Sequence, residues 1–273
     1  MNEIKKQLEN IMVIDSHLHL GHLSNLNIPG ASDENIIATL KEFGVKKAIV
    51  SHHGSLSTVE YGNKMLFELL TLYKDFLYGL LVFNPNFEDK SLETINKFYK
   101  KDNIIGIKIH PSWHLCYPAD TRYKKFWALA EERQIPVLTH SWNPNVPNKS
   151  QKFSDPFNFE VIIKRHPDLK LILAHAGGRG DFLYKVIDLL GKYPNLYTDF
   201  AGDIFEPKLI ETYVKRLGSK KLFFGTDMPW IDVRYYLVNI LNAGITDEDK
   251  ENILGLNVAR LYGIQQADSF KEY

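Results

Sequence analysis

Two histidines, one residue apart, follow an apolar stretch near the start of the sequence. Residues 11–15 read as a buried strand, and His17 and His19 come directly after it. Residues i and i+2 of an extended chain point to the same face, so both imidazoles can aim at one point. Neutral imidazole is the commonest transition-metal ligand in proteins. The pair therefore predicts half of a metal site, although two solvated histidines at a strand end have the same pattern.

Residues that could complete this site follow later apolar stretches. His17, His19, His140 and Asp227 offer three or four N/O ligands with a single anionic oxygen. This set suits Zn²⁺ and leaves room for a water, as a catalytic site requires. A bound metal lowers the pKa of its water toward ~7 and polarises a substrate oxygen. His175 is then placed to act as a general acid or base, and Asp227 is the alternative proton acceptor.

The elements that must position these residues are short strands alternating with helices. Apolar stretches predict strands over residues 11–15, 47–51, 77–83, 104–109, 136–140, 169–175, 196–200 and 222–225. Helical patterns cover residues 32–43, 59–74, 91–100, 122–133, 157–165, 182–190, 207–217 and 233–243, followed by 247–254 and 256–262. Ser32 is the predicted N-cap of the first helix, and Gly255 a break between the last two. Several strands are apolar without alternation, which is typical of parallel strands buried on both faces.

Eight strand–helix units predict a (β/α)₈ TIM barrel, a single domain over residues 1–273 with helices at its C-terminal end. A doubly wound sheet is the alternative, but no Gly-x-Gly-x-x-Gly turn follows the first strand. In a barrel the carboxyl ends of the strands meet at one mouth. Nine of the ten histidines, all but His166, fall at a predicted strand end or in the loop that follows it, which favours the metal site over two solvated histidines.

At these residues the chain resembles the amidohydrolase superfamily, and more narrowly its amidohydrolase-2 branch, which includes the aminocarboxymuconate-semialdehyde decarboxylase-like proteins. The matching segments are residues 14–19 (Ile-Asp-Ser-His-Leu-His), 106–111 (Gly-Ile-Lys-Ile-His-Pro), 139–140 (Thr-His), 174–178 (Ala-His-Ala-Gly-Gly), 225–229 (Gly-Thr-Asp-Met-Pro) and the closing helix 253–262. They cover essentially the whole chain. The resemblance implies a metal held by His17, His19, His140 and Asp227, with His175 beside it as catalytic acid or base.

Lys108 bears on whether one metal or two are expected. Branches of the superfamily with two metals often bridge them with a carboxylated lysine or a glutamate at the fourth strand, where Lys108 is the comparable residue. We expect one metal, because the rest of the pattern resembles the single-metal branch. Lys108 then becomes a candidate for binding an anionic substrate group, and a lysine extending from a strand edge is the structural alternative.

Further candidates lie in the predicted mouth loops. The expected substrate-binding residues are Lys108, His110, Trp113 and Arg179. Arginine suits bidentate carboxylate recognition, and Gly177 and Gly178 would let the backbone approach a ligand closely. His114, Trp142 and Trp230 could wall the site or pack the loops against the rim.

Residues near the second and seventh strands are expected to support the site. His52 and His53 include at least one structural residue. Asp199 and Asp203 are candidates to orient a ligand histidine.

Three functions fit these residues. The first is a metal-dependent hydrolase, in which activated water attacks the C–N or C–O bond of an amide, lactone or ester. The second is a non-oxidative decarboxylase of a small carboxylated aromatic or muconate-like substrate. The third is a barrel that keeps its metal only for stability or ligand binding. The expected cofactor is one divalent ion, with Zn²⁺ ahead of Mn²⁺, Fe²⁺ and Co²⁺.

Composition narrows the expected partners. The chain has 273 residues, of which 44% are hydrophobic, with 33 basic and 33 acidic side chains. Zero net charge favours neither a nucleic-acid nor a membrane partner, so a small-molecule substrate is expected. A single cysteine, Cys116, allows no intramolecular disulfide, and no signal peptide or apolar span is recognisable. We expect a cytoplasmic protein that could form a homo-oligomer.

Overall fold

Eight parallel strands form one sheet in this computed structural model, which describes residues 2–21 and 28–265. Each strand pairs with the next one along the chain. The strands are β1 Ile14–Leu20, β2 Lys47–His52, β3 Leu77–Val82, β4 Ile104–Ile109, β5 Val137–Thr139, β6 Leu171–Leu173, β7 Leu196–Asp199 and β8 Leu222–Phe223. With helices between them they form a nearly closed barrel, which confirms the predicted (β/α)₈ TIM barrel.

Helices surround the sheet and close its lower end. They are α1 Asn2–Leu8, α2 Asp33–Glu42, α3 Gly54–Ser57, α4 Val59–Leu72, α5 Glu88–Phe98, α6 Pro111–His114, α7 Lys124–Glu132, α8 Glu160–Arg165, α9 Phe182–Lys192, α10 Leu209–Leu217, α11 Val233–Asn242, α12 Asp247–Glu251 and α13 Asn257–Tyr262. The Ser32 hydroxyl accepts the Asn35 N–H at 3.2 Å and caps α2, as predicted. Within the described ranges, no helix is both long and apolar enough to span a bilayer.

Apolar side chains fill the lower half of the barrel. The strands are buried almost throughout, as predicted, because their outer faces pack against helices and their inner faces against one another. The interior layer is formed by Ile14, Ile49, Leu80, Leu138, Ile172 and Phe223. Val258 and Ala259 of α13 pack beneath it. Burial of these side chains drives barrel closure and leaves the polar residues to the other end.

The seam between β1 and β8 is closed by individual hydrogen bonds. The Ser16 N–H donates to the Phe224 carbonyl at 3.0 Å, and the Asp227 N–H donates to the His17 carbonyl at 2.7 Å. The Asp15 carboxylate accepts the Thr226 hydroxyl at 2.6 Å and the Thr226 N–H at 3.1 Å. Two predicted metal ligands, His17 and Asp227, therefore lie at the seam and are held by its backbone.

The first strand begins and ends later than the sequence predicted. The expected strand was residues 11–15, whereas β1 covers Ile14–Leu20, so His17 and His19 lie inside the strand. Polar residues are read as a strand end because a buried strand is expected to be apolar. Here the buried histidines have hydrogen-bond partners at the barrel mouth, so the strand continues through them.

Gly255 has a different role from the predicted helix break. Residues Asn252–Leu256 form a π-helical turn that joins α12 to α13 without interruption. A Cβ at position 255 would lie 1.8 Å from the Met12 carbonyl oxygen. Glycine is needed because this turn packs directly against the backbone that leads into β1.

Candidate active site

Four histidines and one aspartate meet at the carboxyl ends of the strands. His19 Nε2 lies 3.3 Å from His17 Nε2 and 3.2 Å from Asp227 Oδ1. On the other side, His140 Nδ1 lies 3.2 Å from His175 Nε2. The ring centroids of His17 and His175 are 4.9 Å apart, so the group formed by His17, His19 and Asp227 lies next to the pair formed by His140 and His175. The structure thus brings together all five residues that the sequence assigned to the metal and the acid or base.

Acceptors outside the cluster orient two of these rings. His17 Nδ1 donates to Asp199 Oδ2 at 3.0 Å, and His175 Nδ1 donates to the Ala201 carbonyl at 2.9 Å. A neutral imidazole carries one N–H, so Nε2 of both His17 and His175 presents a lone pair to the centre. Asp199 was one of the two aspartates expected to orient a ligand histidine, and it contacts His17.

The donor set fits a divalent cation. One ligand atom each from His17, His175 and Asp227 lie within 4.8 Å of one another. His140 Nε2 is 3.1 Å from the Gln151 side-chain oxygen, which leaves Nδ1 as the lone pair that faces His175 Nε2. Two lone pairs at this distance are suited to sharing a cation between or beside them. His175 lies as near this centre as the predicted ligands do.

Lys108 lies beneath the cluster. It is fully buried, and its ammonium donates to His17 Nε2 at 2.8 Å. Burial lowers the pKa of Lys108 to about 8, while the nearby carboxylates of Asp227 and Asp199 oppose that shift. The side chain predicted to bind a substrate anion therefore contacts a metal-ligand candidate.

Burial keeps the histidines of the cluster in the form that binds metals. Burial lowers the pKa of His140 and of His175 to about 3, and it lowers the pKa of His17 and His19 well below the ordinary value. The rings are therefore neutral at pH 7. Burial has the opposite effect on acids and raises the pKa of Asp227.

Two of the five residues have backbone conformations that are rare for their type. His175 has φ 61° and Asp227 has φ 60°, both in the left-handed region. Such conformations cost roughly 1–3 kcal/mol each and are concentrated at functional sites. Gly202 supports the turn at His175, because a Cβ there would lie 2.7 Å from His175 Nδ1.

A cavity of about 720 Å³ opens above the cluster. Its wall includes His19, His140, His175 and Asp227 as well as three indoles, those of Trp113, Trp142 and Trp230. Leu56, Val146, Pro147 and Ile231 add apolar surface. The predicted substrate-binding residues His110 and Arg179 also lie on this wall. The cavity therefore offers an aromatic and apolar enclosure with the polar cluster at its base.

Arg179 already has a partner within the protein. Its guanidinium forms an ion pair with Asp203 and lies 5.8 Å from the Trp142 ring centroid. The predicted close backbone approach at the neighbouring glycines is also made within the protein. A Cβ on Gly178 would lie 2.5 Å from the Asn143 nitrogen, so this turn packs against the loop of residues 141–155.

The remaining histidines divide between structural positions and the cavity. His52 packs against Gly21, His114 donates to the Leu56 carbonyl at 2.9 Å, and His166 pairs with Glu131 at 2.7 Å. His53 lies on the cavity wall. His22 falls outside the described residues.

Sequence reasoning missed several partners of the cluster. Ser51 contacts His19 Nδ1 at 3.0 Å, Gln151 contacts His140, and the Ala201 carbonyl orients His175. Ser51 is at a predicted strand end and could have been considered. A glutamine within a polar loop and a backbone carbonyl carry no sequence signal.

Comparison with known proteins gives consistent results. The family model described as Amidohydrolase (Amidohydro_2) matches residues 14–264. A gamma-resorcylate decarboxylase of Rhodococcus jostii (strain RHA1) is 23% identical over 182 residues, which cover 53% of this chain and 55% of that protein. The chain thus spans about half the length of this curated relative.

Two solved structures share the fold. A 2,6-dihydroxybenzoate decarboxylase complexed with 2,6-dihydroxybenzoate has a TM-score of 0.77 at 15% identity, covering 93% of this chain and 100% of its own. A dihydroxybenzoic acid decarboxylase from Polaromonas sp. JS666, with bound manganese and the inhibitor 2-nitroresorcinol, has a TM-score of 0.73 at 16% identity, covering 96% and 100%.

Proposed function

Because the chain belongs to the amidohydrolase family, we propose that it is a metal-dependent, non-oxidative decarboxylase of a small carboxylated aromatic acid. The observation that carries the proposal is the cavity, in which three indoles surround a base of imidazoles and one carboxylate. A flat aromatic acid matches this enclosure in shape and polarity. The decarboxylase activities of the similar proteins favour this reaction over the hydrolysis expected first from the sequence.

The proposed cofactor is one divalent cation held by His17, His19, His140 and Asp227, with His175 beside it. When bound, the cation supplies a Lewis acid that stabilises negative charge on the oxygens of the substrate. Zn²⁺ is the first expectation from the ligand types, and manganese is the ion in the Polaromonas structure, so both belong in the experiment.

The proposed reaction replaces the substrate's carboxylate by a proton. A proton adds to the ring carbon that bears the carboxylate. The bond between the two carbons then breaks, its electron pair returns to the ring, and carbon dioxide leaves. His175 Nε2 and the Asp227 carboxylate both line the cavity as proton acceptors, so one of these two groups takes up a proton from solvent and passes it to the ring carbon. The indoles of Trp142 and Trp230 hold the ring and exclude water from it.

Carbon dioxide release tests the proposal. The purified chain, loaded with Zn²⁺ or Mn²⁺, is incubated with 2,6-dihydroxybenzoate and with a panel of other hydroxybenzoates. We expect carbon dioxide and the matching phenol in equal amounts, and solvent deuterium at the ring carbon that lost its carboxylate. His175→Asn and Asp227→Asn should each lower kcat by about 10²-fold or more.

His166→Asn is the matched control, because it removes an imidazole outside the cavity and should leave kcat unchanged. If the protein cleaves lactones, esters or amides but releases no carbon dioxide from any aromatic acid, the decarboxylase proposal is wrong and the hydrolase hypothesis is favoured again. Equal rates for wild type and His175→Asn would remove His175 from the chemistry.

A further inference from the structure

His53 and His110 are the two imidazoles among the described wall residues that neither the metal assignment nor the proton transfer uses, and His53 is the one that stacks on a metal-ligand candidate. It follows β2 and is only 5% exposed. Its ring stacks on the His19 ring, with centroids 4.6 Å apart and planes inclined by 22°. It therefore lies beside the metal-ligand candidates while facing the space above them.

A backbone carbonyl determines which nitrogen of His53 carries hydrogen. Nδ1 lies 3.0 Å from the Gly21 carbonyl oxygen. A carbonyl can only accept, so Nδ1 is the N–H donor. At pH 8, above the ordinary imidazole pKa of about 6.5, the ring is neutral and carries a single N–H. Nε2 of His53 is therefore a hydrogen-bond acceptor.

Within residues 2–21 and 28–265, no side chain or backbone N–H donates to His53 Nε2. Trp230 lies on the same wall, and its ring centroid is 6.2 Å from that of His53 in an edge-to-face arrangement. Asp227, on the same wall, adds a carboxylate, which also accepts. This side of the cavity therefore attracts a ligand group that can donate.

We propose that His53 is a specificity-determining residue whose Nε2 accepts a hydrogen bond from a hydroxyl group on the substrate's aromatic ring. This inference rests on the proposed function in taking the cavity as the site of an aromatic substrate. It predicts that the cavity binds a ring with a hydroxyl at the matching position more tightly than a ring of the same size that has no hydrogen-bond donor there. Loss of a hydrogen bond to a buried acceptor changes affinity by about tenfold.

Binding of hydroxybenzoates and fluorobenzoates measures this preference. Affinities of 2-, 3- and 4-hydroxybenzoate and of the corresponding fluorobenzoates are obtained at pH 8 with the metal-loaded chain, from quenching of tryptophan fluorescence. We expect wild type to prefer hydroxyl over fluorine by about tenfold at one ring position. His53→Asn keeps a donor for Gly21 and removes Nε2, so the preference should fall to about one.

Two variants and a metal measurement separate specificity from support of His19. His53→Gln places an amide oxygen near the former Nε2 and should recover part of the preference. His166→Asn should behave as wild type, and the metal content of all variants should be equal. The inference is overturned if wild type has no hydroxyl preference at any position, or if His53→Asn keeps it. Carbon dioxide release is scored separately, so binding without turnover contradicts only the proposed reaction.

Discussion

At the scale of single residues, the site depends on partners that fix the protonated nitrogen of each ring. Asp199 and the Ala201 carbonyl accept from Nδ1 of His17 and His175, which directs both Nε2 lone pairs inward. The residue types alone predict ligands. These partners determine whether the ligands present lone pairs or hydrogens to a cation.

His110 provides a prediction about polarity at the same scale. Its Nδ1 accepts from the Trp113 N–H at 3.3 Å and contacts the Ser112 hydroxyl at 3.2 Å, so it caps α6. Nε2–H is then a donor to the cavity. His110→Asn retains the cap and loses this donor. We expect KM for the aromatic acid to rise about tenfold with an unchanged melting temperature.

His110→Gln is expected to have the opposite effects on KM and on stability. Its amide reaches the position of Nε2, so KM should stay near the wild-type value. The cap is lost, so the free energy of unfolding should fall by about 1 kcal/mol. Steady-state kinetics and thermal unfolding of both variants provide the check. A tenfold KM increase in the glutamine variant alone would mean that His110 acts only through α6.

The proximity of the five cluster residues could be predicted from the sequence because their types and positions carry the signal. His17, His19, His140, His175 and Asp227 each follow or lie in an apolar stretch, and barrel topology brings such positions together. The role of His53 could not be predicted, because it depends on which atom faces Gly21. The neutralisation of Arg179 by Asp203 likewise depends on the path of two loops.

At the scale of elements, the loop of residues 141–155 helps to position the His140 ring of the histidine cluster. It places Trp142 against one face of the His140 ring, at 5.9 Å, while His110 stacks on His140 at 4.2 Å. The backbone N–H of Trp142 donates to the Ser154 carbonyl at 2.9 Å, which connects the two ends of the loop. Gln151 then reaches His140 from the 3₁₀ turn Lys149–Ser154.

Removing the Gln151 acceptor should weaken metal binding. In Gln151→Leu the His140 tautomer is no longer fixed, and we expect metal affinity to fall about 10- to 100-fold. Gln151→Glu keeps an acceptor and should bind at least as tightly as wild type. Competition with a chromophoric chelator measures these affinities. The exposed Lys149→Ala in the same turn is the control, and equal affinities in Gln151→Leu and this control would contradict the role.

Strand order and helix positions were predictable, but the boundaries near the site were less so. Hydrophobic periodicity places β2 to β8 within a few residues of where they lie. It fails at β1, where buried histidines extend the strand, and at Gly255, where a tertiary contact rather than a helix end requires glycine.

At the scale of the whole molecule, the buried histidines make stability depend on pH. Burial lowers the pKa of His17, His19, His52, His53, His110, His114, His140 and His175. Below about pH 6.5 the unfolded chain binds protons that the folded chain does not. Each such group then costs about 1.4 kcal/mol per pH unit, down to its folded pKa.

Three buried carboxyl groups act in the opposite direction. Burial raises the pKa of Asp227, and it raises the pKa of Asp15 and Asp199 to about 7. Between about pH 7 and the unfolded value of 3.8, the folded chain therefore binds protons that the unfolded chain lacks. The histidines outnumber these groups, so the net effect below pH 6.5 is destabilising.

Thermal unfolding of chelator-treated protein tests the balance. We expect the melting temperature to be nearly constant from pH 8 to 7 and to fall by roughly 10 °C or more between pH 6.5 and 5. Chelator treatment ensures that the loss is not release of metal. A melting temperature that is flat down to pH 5 would show that the cluster histidines take up protons in the folded state.

The contact of Gly255 with the Met12 carbonyl has a consequence for synthesis on the ribosome. His17 and His19 emerge before His140, His175 and Asp227. Ser16 must wait for Phe224, 208 residues later in the chain, before the seam forms. The turn at Gly255 emerges later still. A nascent chain therefore carries these two histidines without Asp227 until the seam residues have been synthesised, so the proposed cation could meet its complete ligand set only after the seam has formed.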